Sequence, residues 1–333
     1  MLHLRVIVPR EKSDAVRRLL EAEAGVTHLV VWPGAAVSPP GDVMSCDVAR
    51  EAANTVLEDL RHLGIDDDGA IVLEDLDVVL SRSAREAELA APGEGADAVV
   101  WEQITEVTSE ESTISVTFLA FLTLATMIAA CGVLLDNPIL IVGAMVVGPE
   151  FGPLAGLCVA VVQRRPRLAA RSAFALLAGF PIAMALTMVF TWLLTWSGEF
   201  EKAMLEAERP LTAFIYQPDW LSFWVAFLAG IAGMMSLTSS KSGALIGVLI
   251  SVTTVPAAAN TAVAIAYGDL EQAAGSLGQL LLNLCAIVLS GSLTLLGQRL
   301  YWNRTHGSRS RHETLAASRP PAQRWPQAGR TKD

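Results

Sequence analysis

Residues 137–153 of the chain read NPILIVGAMVVGPEFGP, an apolar run with three prolines, three glycines and a single charged side chain, Glu150. The run opens the segment Asn137–Gln163, whose 27 residues are enough to cross a membrane, because a spanning helix needs about 20 mostly apolar residues. Pro149 cannot donate a backbone hydrogen bond and clashes with the preceding helical turn. The segment therefore predicts a membrane span that is broken or kinked beside a buried acid.

The composition agrees with a membrane protein. Of the 333 residues, 52% are hydrophobic and 17% are charged, whereas soluble proteins contain about 25% charged residues. Residues 1–112 contain 9 basic and 23 acidic side chains, a net charge of −14, and the rest of the chain has a net charge of +4. This pattern excludes one soluble globule and predicts an acidic head, residues 1–80, followed by an apolar body.

The apolar body contains six segments long enough to span a membrane, each bounded by charged residues. They are Ser112–Leu135, Asn137–Gln163, Ser172–Gly198, Trp220–Ser240, Ser242–Gly268 and Gln272–Gln298. Helices in a soluble core rarely run so long without charge. The sequence thus predicts an α-helical polytopic membrane domain of six spans over residues 112–298.

The distribution of basic residues predicts the orientation of these spans. Four arginines lie in residues 164–171, Lys241 lies between the fourth and fifth segments, and eight basic residues follow residue 298. Asp136 marks the opposite side. Because Lys and Arg are enriched in cytoplasmic loops, both termini are expected in the cytoplasm. Residues 1–9 resemble a strand rather than a secretory signal, so the head is expected to be cytoplasmic as well.

The first and last three spans would run in opposite directions, as in the inverted repeats of many secondary transporters. Pro256 lies in the fifth segment at a depth that matches Pro149 in the second. Broken helices in a bilayer are tolerated only where protein or a wet cavity surrounds them, and their freed carbonyls can coordinate ions. The alternative is that these prolines only kink helices that pack closely.

Glu150 is the only carboxylate inside any predicted span, where a charge costs about 2.5–3.5 kcal/mol on insertion scales. It is either a functional acid or a hydrogen-bonded structural one. The full set of candidate pathway residues is Asn137, Gly148, Pro149, Glu150, Gly152, Pro153, Thr253, Thr254, Pro256, Asn260 and Asn283. Each polar residue could instead serve only helix–helix contact. Lys241, with Ser240, is a candidate gate or an interfacial lysine that reaches to the membrane surface.

The head is predicted to have the order βαββαβ, which suits a ferredoxin-like α+β domain. The predicted strands are His3–Val8, Val26–Trp32, Val43–Ala49 and Ala70–Leu76, the predicted helices are Lys12–Ala24 and Glu51–Leu63, and Ala35–Gly41 is a predicted loop. The three histidines of the head lack metal-ligand spacing, and residues 66–69 lack the ligands of an EF-hand loop. No metal or other cofactor is therefore expected.

Residues 81–111 link the head to the membrane. Glu102, Glu106 and Glu110 recur at i,i+4, which places one acidic stripe along a helix. The stripe is either a solvated face or a cation-attracting vestibule formed where several chains meet. The polar, basic tail, residues 299–333, is predicted to be disordered and to lie against anionic lipid.

Two blocks of sequence are similar to a known family. Residues 137–153, together with residues 240–256 and Asn283, resemble the bacterial "uncharacterised hydrophobic" family, domain of unknown function 389, over about residues 110–298. The chain departs from the family pattern at Glu150, where the family has Leu after Ser-Pro, and at Ala257, where it has a second proline. The resemblance implies a bacterial inner-membrane protein and no particular substrate.

The leading functional hypothesis is a transporter or channel for an ion or small solute, regulated or assembled by the head. The alternative is a membrane-anchored ligand sensor or oligomeric scaffold without transport. An enzyme is not expected, because the spans contain no HExxH motif, His cluster or Ser/Lys pair. The expected partners are the lipid bilayer, further copies of the chain through helices rich in small residues, and a regulatory ligand of the head, but no nucleic acid.

Overall fold

The computed structural model describes residues 1–76, 78–91, 99–216, 219–239 and 253–317. The chain divides into two units, residues 1–295 and 296–333. The first unit contains a small antiparallel sheet at its N-terminus and is otherwise mostly helical. The described part of the second unit, residues 296–317, is helical and continues the last helix.

The head is a four-stranded antiparallel sheet with the strand order β2-β3-β1-β4. Its elements are β1 (Leu2–Val8), α1 (Ser13–Ala22), β2 (Val26–Val37), β3 (Pro40–Val48), α2 (Arg50–His62), α3 (Ile65–Asp68) and β4 (Ala70–Asp75). Successive strand side chains point to opposite faces, and Leu2, Leu4, Val6 and Val8 of β1 form one fully buried face. They pack in one core with the apolar faces of α1 and α2. Every predicted strand and both predicted helices are present within a few residues.

The predicted loop Ala35–Gly41 is wrong in part. Strand β2 continues to Val37 and β3 begins at Pro40, so the two strands form a tight hairpin. The register shifts between Trp32 and Ala36, where Gly34 has a φ of +65°. Such a bulge lets the strand continue through residues that discourage regular pairing. Pro40 begins β3, a position at which a strand tolerates proline.

Asp47 of β3 joins two of the histidines that were predicted to have no metal role. Its two carboxylate oxygens contact Nδ1 of His3 at 2.8 Å and Nδ1 of His28 at 2.7 Å. Nε2 of His28 also lies 2.8 Å from the Ser81 hydroxyl. This network ties three strands of the sheet, β1, β2 and β3, to the start of the linker.

The linker contains two helices, α4 (Arg82–Ala90) and α5 (Trp101–Glu111). Asn54 of α2 donates to the Val99 carbonyl at 2.7 Å and accepts from the Trp101 N–H at 3.2 Å. Arg61 of α2 forms a 2.6 Å ion pair with Glu102. These contacts attach the start of α5 to the head. Glu102, one residue of the predicted acidic stripe, therefore forms an ion pair with the head.

The apolar body is helical. Its helices are α6 (Val116–Leu134), α7 (Pro138–Val147), α8 (Phe151–Gln163), α9 (Pro166–Ser197), α10 (Lys202–Glu206), α11 (Trp220–Thr238), α12 (Thr254–Tyr267) and α13 (Leu270–Ala317). In the described residues, four helices are long and apolar enough to cross a membrane: α6, α9, α11 and the part of α13 up to Tyr301. A fifth crossing results if α7 and α8 count as one bent span.

The fifth predicted span, Ser242–Gly268, is described only from residue 253 onward. Its described part is α12, which has 14 residues. Ser240 and Lys241, the candidate gate, lie outside the described residues. At the other end of the body, α13 continues to Ala317, beyond residue 298, so the first part of the predicted disordered tail is helical.

Small and hydroxylated residues hold the helices of the body together. Gly179 of α9 faces the Phe118 ring of α6, and Thr187 of α9 donates to Thr126 of α6 at 2.9 Å. Helix α12 is buried at every position from 254 to 264. Its sequence, TVPAAANTAVA over those residues, consists largely of small side chains, which allow neighbouring helices to approach closely. Helix α12 is therefore the centre of the bundle.

Candidate functional site

The two interruptions predicted from the prolines lie next to each other. Helix α7 ends at Val147 and α8 begins at Phe151, with a bend of 54° between them. Helix α12 begins at Thr254, whose hydroxyl donates to Oε1 of Glu150 at 2.7 Å. Pro256 lies in the first turn of α12, where its missing N–H costs no helical hydrogen bond. Within the described residues α12 begins at Thr254, two residues before Pro256; residues 240–252 lie outside the described ones, so the break or kink predicted at Pro256 stays a prediction.

Glu150 is enclosed by the protein at this junction. Its side chain is buried, and its Oε2 has no hydrogen-bond partner among the described residues. It occupies the N-cap position of α8 and contacts the first residue of α12. Helix N-termini carry partial positive charge, which favours a carboxylate there. A Cβ at Gly148 would collide with the Glu150 carboxyl group and with Val255, so the glycine leaves room for the acid.

Three hydrogen-bonded groups of polar side chains follow one another from Glu150 across α12 and α13, joined by chain neighbours (Thr254 and Thr253) and by a shared helix face (Gln279 and Ser276). Asn283 of α13 donates to the Thr253 hydroxyl at 2.9 Å, and Gln279 donates to Oδ1 of Asn283 at 3.3 Å. Oε1 of Gln279 is buried without a partner in the described part of the chain. Ser276, Gln279 and Asn283 are spaced i, i+3, i+7, so they share one face of α13.

The row ends at a buried arginine on the other side of α12. Asn260 of α12 donates to the Ser276 hydroxyl at 2.6 Å and accepts from Nη1 of Arg209 at 3.3 Å. The guanidinium of Arg209 lies 5.2 Å from the centre of the Tyr216 ring. Only 4% of Arg209 is exposed, and its Nε has no partner among the described residues. We call this whole row the polar ladder: Glu150, Thr254, Thr253, Asn283, Gln279, Ser276, Asn260 and Arg209.

A cavity of about 310 Å³ lies in front of the junction, and we call it the vestibule. Its walls include Glu110, Glu111, residues 113, 115 and 117, and the residues on either side of Glu150 in the break, which are Gly148, Pro149, Phe151 and Gly152. A Cβ at Gly152 would collide with Glu111, so the glycine lets the end of α5 reach the break. Desolvation by the surrounding protein raises the pKa of Glu111, and the charge of Glu110 raises it further.

The three glutamates of the acidic stripe predicted for the linker therefore lie in three different surroundings. Glu110 lines the vestibule within a single chain, whereas the sequence indicated a vestibule only where several chains meet. Glu102 pairs with the head, and Glu106 lines a different cavity. Glu111 was not among the predicted residues, because it lies outside the i,i+4 pattern.

Other candidate residues have local structural roles. Asn137 caps α7, since its Oδ1 accepts from the N–H groups of Ile139 and Leu140 at 3.0 and 3.4 Å. It lies at the end of α7 opposite Gly148, about 15 Å along the helix axis from the break. Pro149 lines the vestibule, and Pro153 is buried in the first turn of α8. Asn137 is thus not joined to the polar ladder, whereas Asn260 and Asn283 are.

Sequence reasoning missed Ser276, Gln279 and Arg209. The first two carried a usable signal, because they share helical spacing with Asn283. Arg209 carried none, because a single arginine in a mixed-charge loop gives no indication of burial. Its burial depends on the fold of residues 199–216 over the end of the bundle.

Residues 145–289, which include the whole polar ladder, match the model of a family described as "Domain of unknown function (DUF389)". An uncharacterized protein of Methanocaldococcus jannaschii is 27% identical over 195 residues, 58% of this chain and 57% of that protein. The chain thus matches little more than half the length of this relative. No solved structure matches the chain. The family match confirms the resemblance to the DUF389 family over residues 145–289, and the distant relative agrees with it.

Proposed function

We propose that the protein is an integral membrane transporter or channel whose pathway passes the junction of the two interrupted segments, and that its substrate is a proton or small monovalent cation. The observation that carries this proposal is the contact between Glu150 and Thr254. It puts a buried acid, one of whose oxygens has no partner among the described residues, beside both the break between α7 and α8 and the start of α12. A carboxylate at such depth is expensive, and buried polar atoms normally have a hydrogen-bond partner, so the second oxygen is available to a bound cation.

The vestibule and the polar ladder support a route to and from Glu150. Glu110 and Glu111 raise the local concentration of cations through their negative field. Beyond Glu150, the ladder offers hydroxyl and amide oxygens, the kind of ligand that hard cations prefer. Hydroxyls and amides can also relay a proton through hydrogen bonds.

Arg209 closes the far end of this route. Its guanidinium fills the position next to Asn260, and a fixed positive charge there repels a cation. We infer that this arrangement is a closed state and that transport requires the side chain of Arg209 to move away from Asn260.

The architecture belongs to the same proposal. We infer six spans in two inverted halves, with α12 and the residues before it forming a broken span like α7 and α8. The strand order β2-β3-β1-β4, with α1 and α2 in the connections, supports a ferredoxin-like head. The four arginines of residues 164–171 support a cytoplasmic position of both termini, and the resemblance to the DUF389 family supports a bacterial inner-membrane location. We further propose that the chain assembles into a homo-oligomer and that the head binds a regulatory ligand. We propose no enzymatic activity.

Ion flux into liposomes that contain the purified full chain tests the proposal. Proton, sodium and potassium gradients are imposed on wild type, on Glu150→Gln and on Glu58→Gln, a matched change at an exposed site of α2. We expect flux of one cation in wild type, a loss of about tenfold or more in Glu150→Gln by removal of a charge-assisted contact, and no loss in Glu58→Gln. Equal flux in all three proteins would contradict the role of Glu150, and no flux under any gradient would contradict transport.

One observation favours the alternative, a ligand sensor or oligomeric scaffold without transport. Helix α12 is buried along residues 254–264, and Arg209 occupies the far end of the ladder, as expected of a bundle that only holds its helices together. This alternative predicts no flux in any variant and a specific ligand for the head.

A further inference from the structure

A second cavity lies at the turn between α8 and α9. It has a volume of about 640 Å³ and is lined by the four arginines at positions 164, 165, 167 and 171. The wall opposite the turn comes from α5, with Thr105, Glu106 and Ser109. The arginines thus face the linker helix that joins the head to the membrane domain.

Hydrogen bonds hold the walls of this cavity in place. Arg171 of α9 donates to the Ser109 hydroxyl of α5 at 3.3 Å, and Gln163 at the end of α8 donates to the Thr105 hydroxyl at 3.0 Å. Three helices therefore meet around the cavity in a defined arrangement. The first-turn N–H groups of Arg167 and Leu168 are not used by α9 itself, and they add donors to the arginine side.

The cavity has an excess of positive charge. It contains four guanidinium groups and one carboxylate, Glu106, and among the described residues none of the four arginines forms an ion pair. A guanidinium presents a planar fork of N–H donors that matches a phosphate group. We propose that this cavity binds a phosphate-bearing anion, the headgroup of an acidic phospholipid.

The surface beside the cavity favours a lipid over a soluble phosphate. Phe174 and Leu177 follow Arg171 within two turns of α9, and they are 64% and 75% exposed. Helix α9 is apolar enough to cross a membrane, so acyl chains can cover these side chains while the arginines hold the headgroup. A free phosphate ion has the same charge but leaves this apolar surface uncovered.

A bound headgroup would connect the linker helix to the membrane domain. Helix α5 is attached to the head through the ion pair of Arg61 with Glu102, and its middle faces the arginines. The proposed lipid site therefore sets how firmly the head is held on the membrane domain, whether or not the protein transports an ion.

The test uses the full chain in detergent and measures binding of phosphatidylglycerol, phosphatidylcholine and inorganic phosphate by native mass spectrometry and equilibrium titration. The variants are the double change Arg165→Gln with Arg167→Gln and a matched double change, Arg17→Gln with Arg18→Gln, on the exposed face of α1. Loss of two charge-assisted phosphate contacts should weaken phosphatidylglycerol binding about tenfold to a hundredfold. Phosphatidylcholine binding should stay unchanged, and the α1 variant should bind like wild type.

The double change Arg165→Lys with Arg167→Lys distinguishes a loss of phosphate binding from a loss of folding. It keeps both positive charges and removes the planar fork of guanidinium N–H donors. This variant should bind phosphatidylglycerol between wild type and the Gln variant, and all variants should melt like wild type without lipid. Equal binding of both phospholipids, or equal loss in the α1 control, would overturn the proposal. Inorganic phosphate that binds as tightly as phosphatidylglycerol would overturn the lipid assignment.

Discussion

Replacement of Thr254 by valine tests the contact at the centre of the site. The change removes one hydroxyl and nearly preserves the side-chain volume, and Thr254 is only 1% exposed. Its hydroxyl donates to Oε1 of Glu150 at 2.7 Å, while Oε2 already lacks a partner among the described residues. The variant therefore leaves both oxygens of a buried carboxyl group without a donor.

The cost of such an unsatisfied group is about 1–3 kcal/mol, above the average of about 0.6 kcal/mol for a hydrogen bond between membrane helices. Thr261→Val is the matched control, because Thr261 is equally buried on α12 but donates to the Ala257 carbonyl of its own helix. In Thr261→Val the Ala257 carbonyl still accepts its helical N–H hydrogen bond, so no buried polar group is left unsatisfied. The control should therefore lower the free energy of unfolding by less than about 1 kcal/mol.

The free energy of unfolding is measured for both variants in mixed micelles of a mild detergent and dodecyl sulfate. We expect Thr254→Val to be less stable than Thr261→Val by about 1–3 kcal/mol, and Thr254→Ser to recover most of the loss. The combination of Thr254→Val with Glu150→Gln should be non-additive, because the two residues are in contact. Equal stability of the two valine variants, or additive effects in the double variant, would refute the contact.

Three further predictions concern other parts of the chain. Gly148→Ala should destabilise the protein by about 1–3 kcal/mol through overpacking. Gly143→Ala is the control: its added methyl group meets no atom within 4 Å, so it should stabilise the helix by up to about 1 kcal/mol. Unfolding in mixed micelles distinguishes the two variants, and equal effects would refute the close approach of Glu150 to residue 148. Arg209→Met should raise cation flux in the liposome assay, because the charge that closes the ladder is gone; unchanged flux would show that this charge does not close it. Burial raises the pKa of Asp47, but the hydrogen bonds and charges of its two histidine partners lower it overall to below its ordinary value. The stability that Asp47 gives the head is thus present above about pH 4, the pKa of an unfolded aspartate, and is lost as the pH falls through the folded pKa. Hydrogen exchange of β3 should accelerate there in wild type and show less pH dependence in Asp47→Asn.

The secondary structure of the head and the break between α7 and α8 could be predicted from the sequence, because their signals are local. Alternation in residues 3–8 and the helical spacing of residues 12–24 predicted β1 and α1 to within a few residues. Pro149 predicted the bend between α7 and α8. The hairpin at Val37 and Pro40 was missed, because two prolines and a glycine normally indicate a loop, and only the pairing with β3 overrides that preference.

The site could be predicted only in part, because it depends on contacts between residues far apart in the sequence. Glu150 and Thr254 are separated by 104 positions, and the prolines indicated two breaks without indicating that they touch. Arg209 looked like an ordinary loop charge until residues 199–216 folded over the bundle. Asn137 was predicted to belong to the site because it is a polar residue at the start of a span. At that position its side chain instead caps its own helix.

The claim that a cation meets Glu150 inside the protein is tested most directly by labelling with an apolar carbodiimide, which reacts with carboxyl groups in apolar surroundings. The reconstituted full chain is labelled with and without proton, sodium and potassium excess, and the modified residues are identified by mass spectrometry, with Glu58 as the exposed reference. We predict that Glu150 is labelled and that a transported sodium or potassium ion slows this labelling at constant pH, whereas a transported proton speeds it, because the carbodiimide adds to the protonated carboxyl group; sodium and potassium leave the labelling of Glu58 unchanged. Labelling of Glu150 at the same rate under every ionic condition would contradict a cation site at the junction.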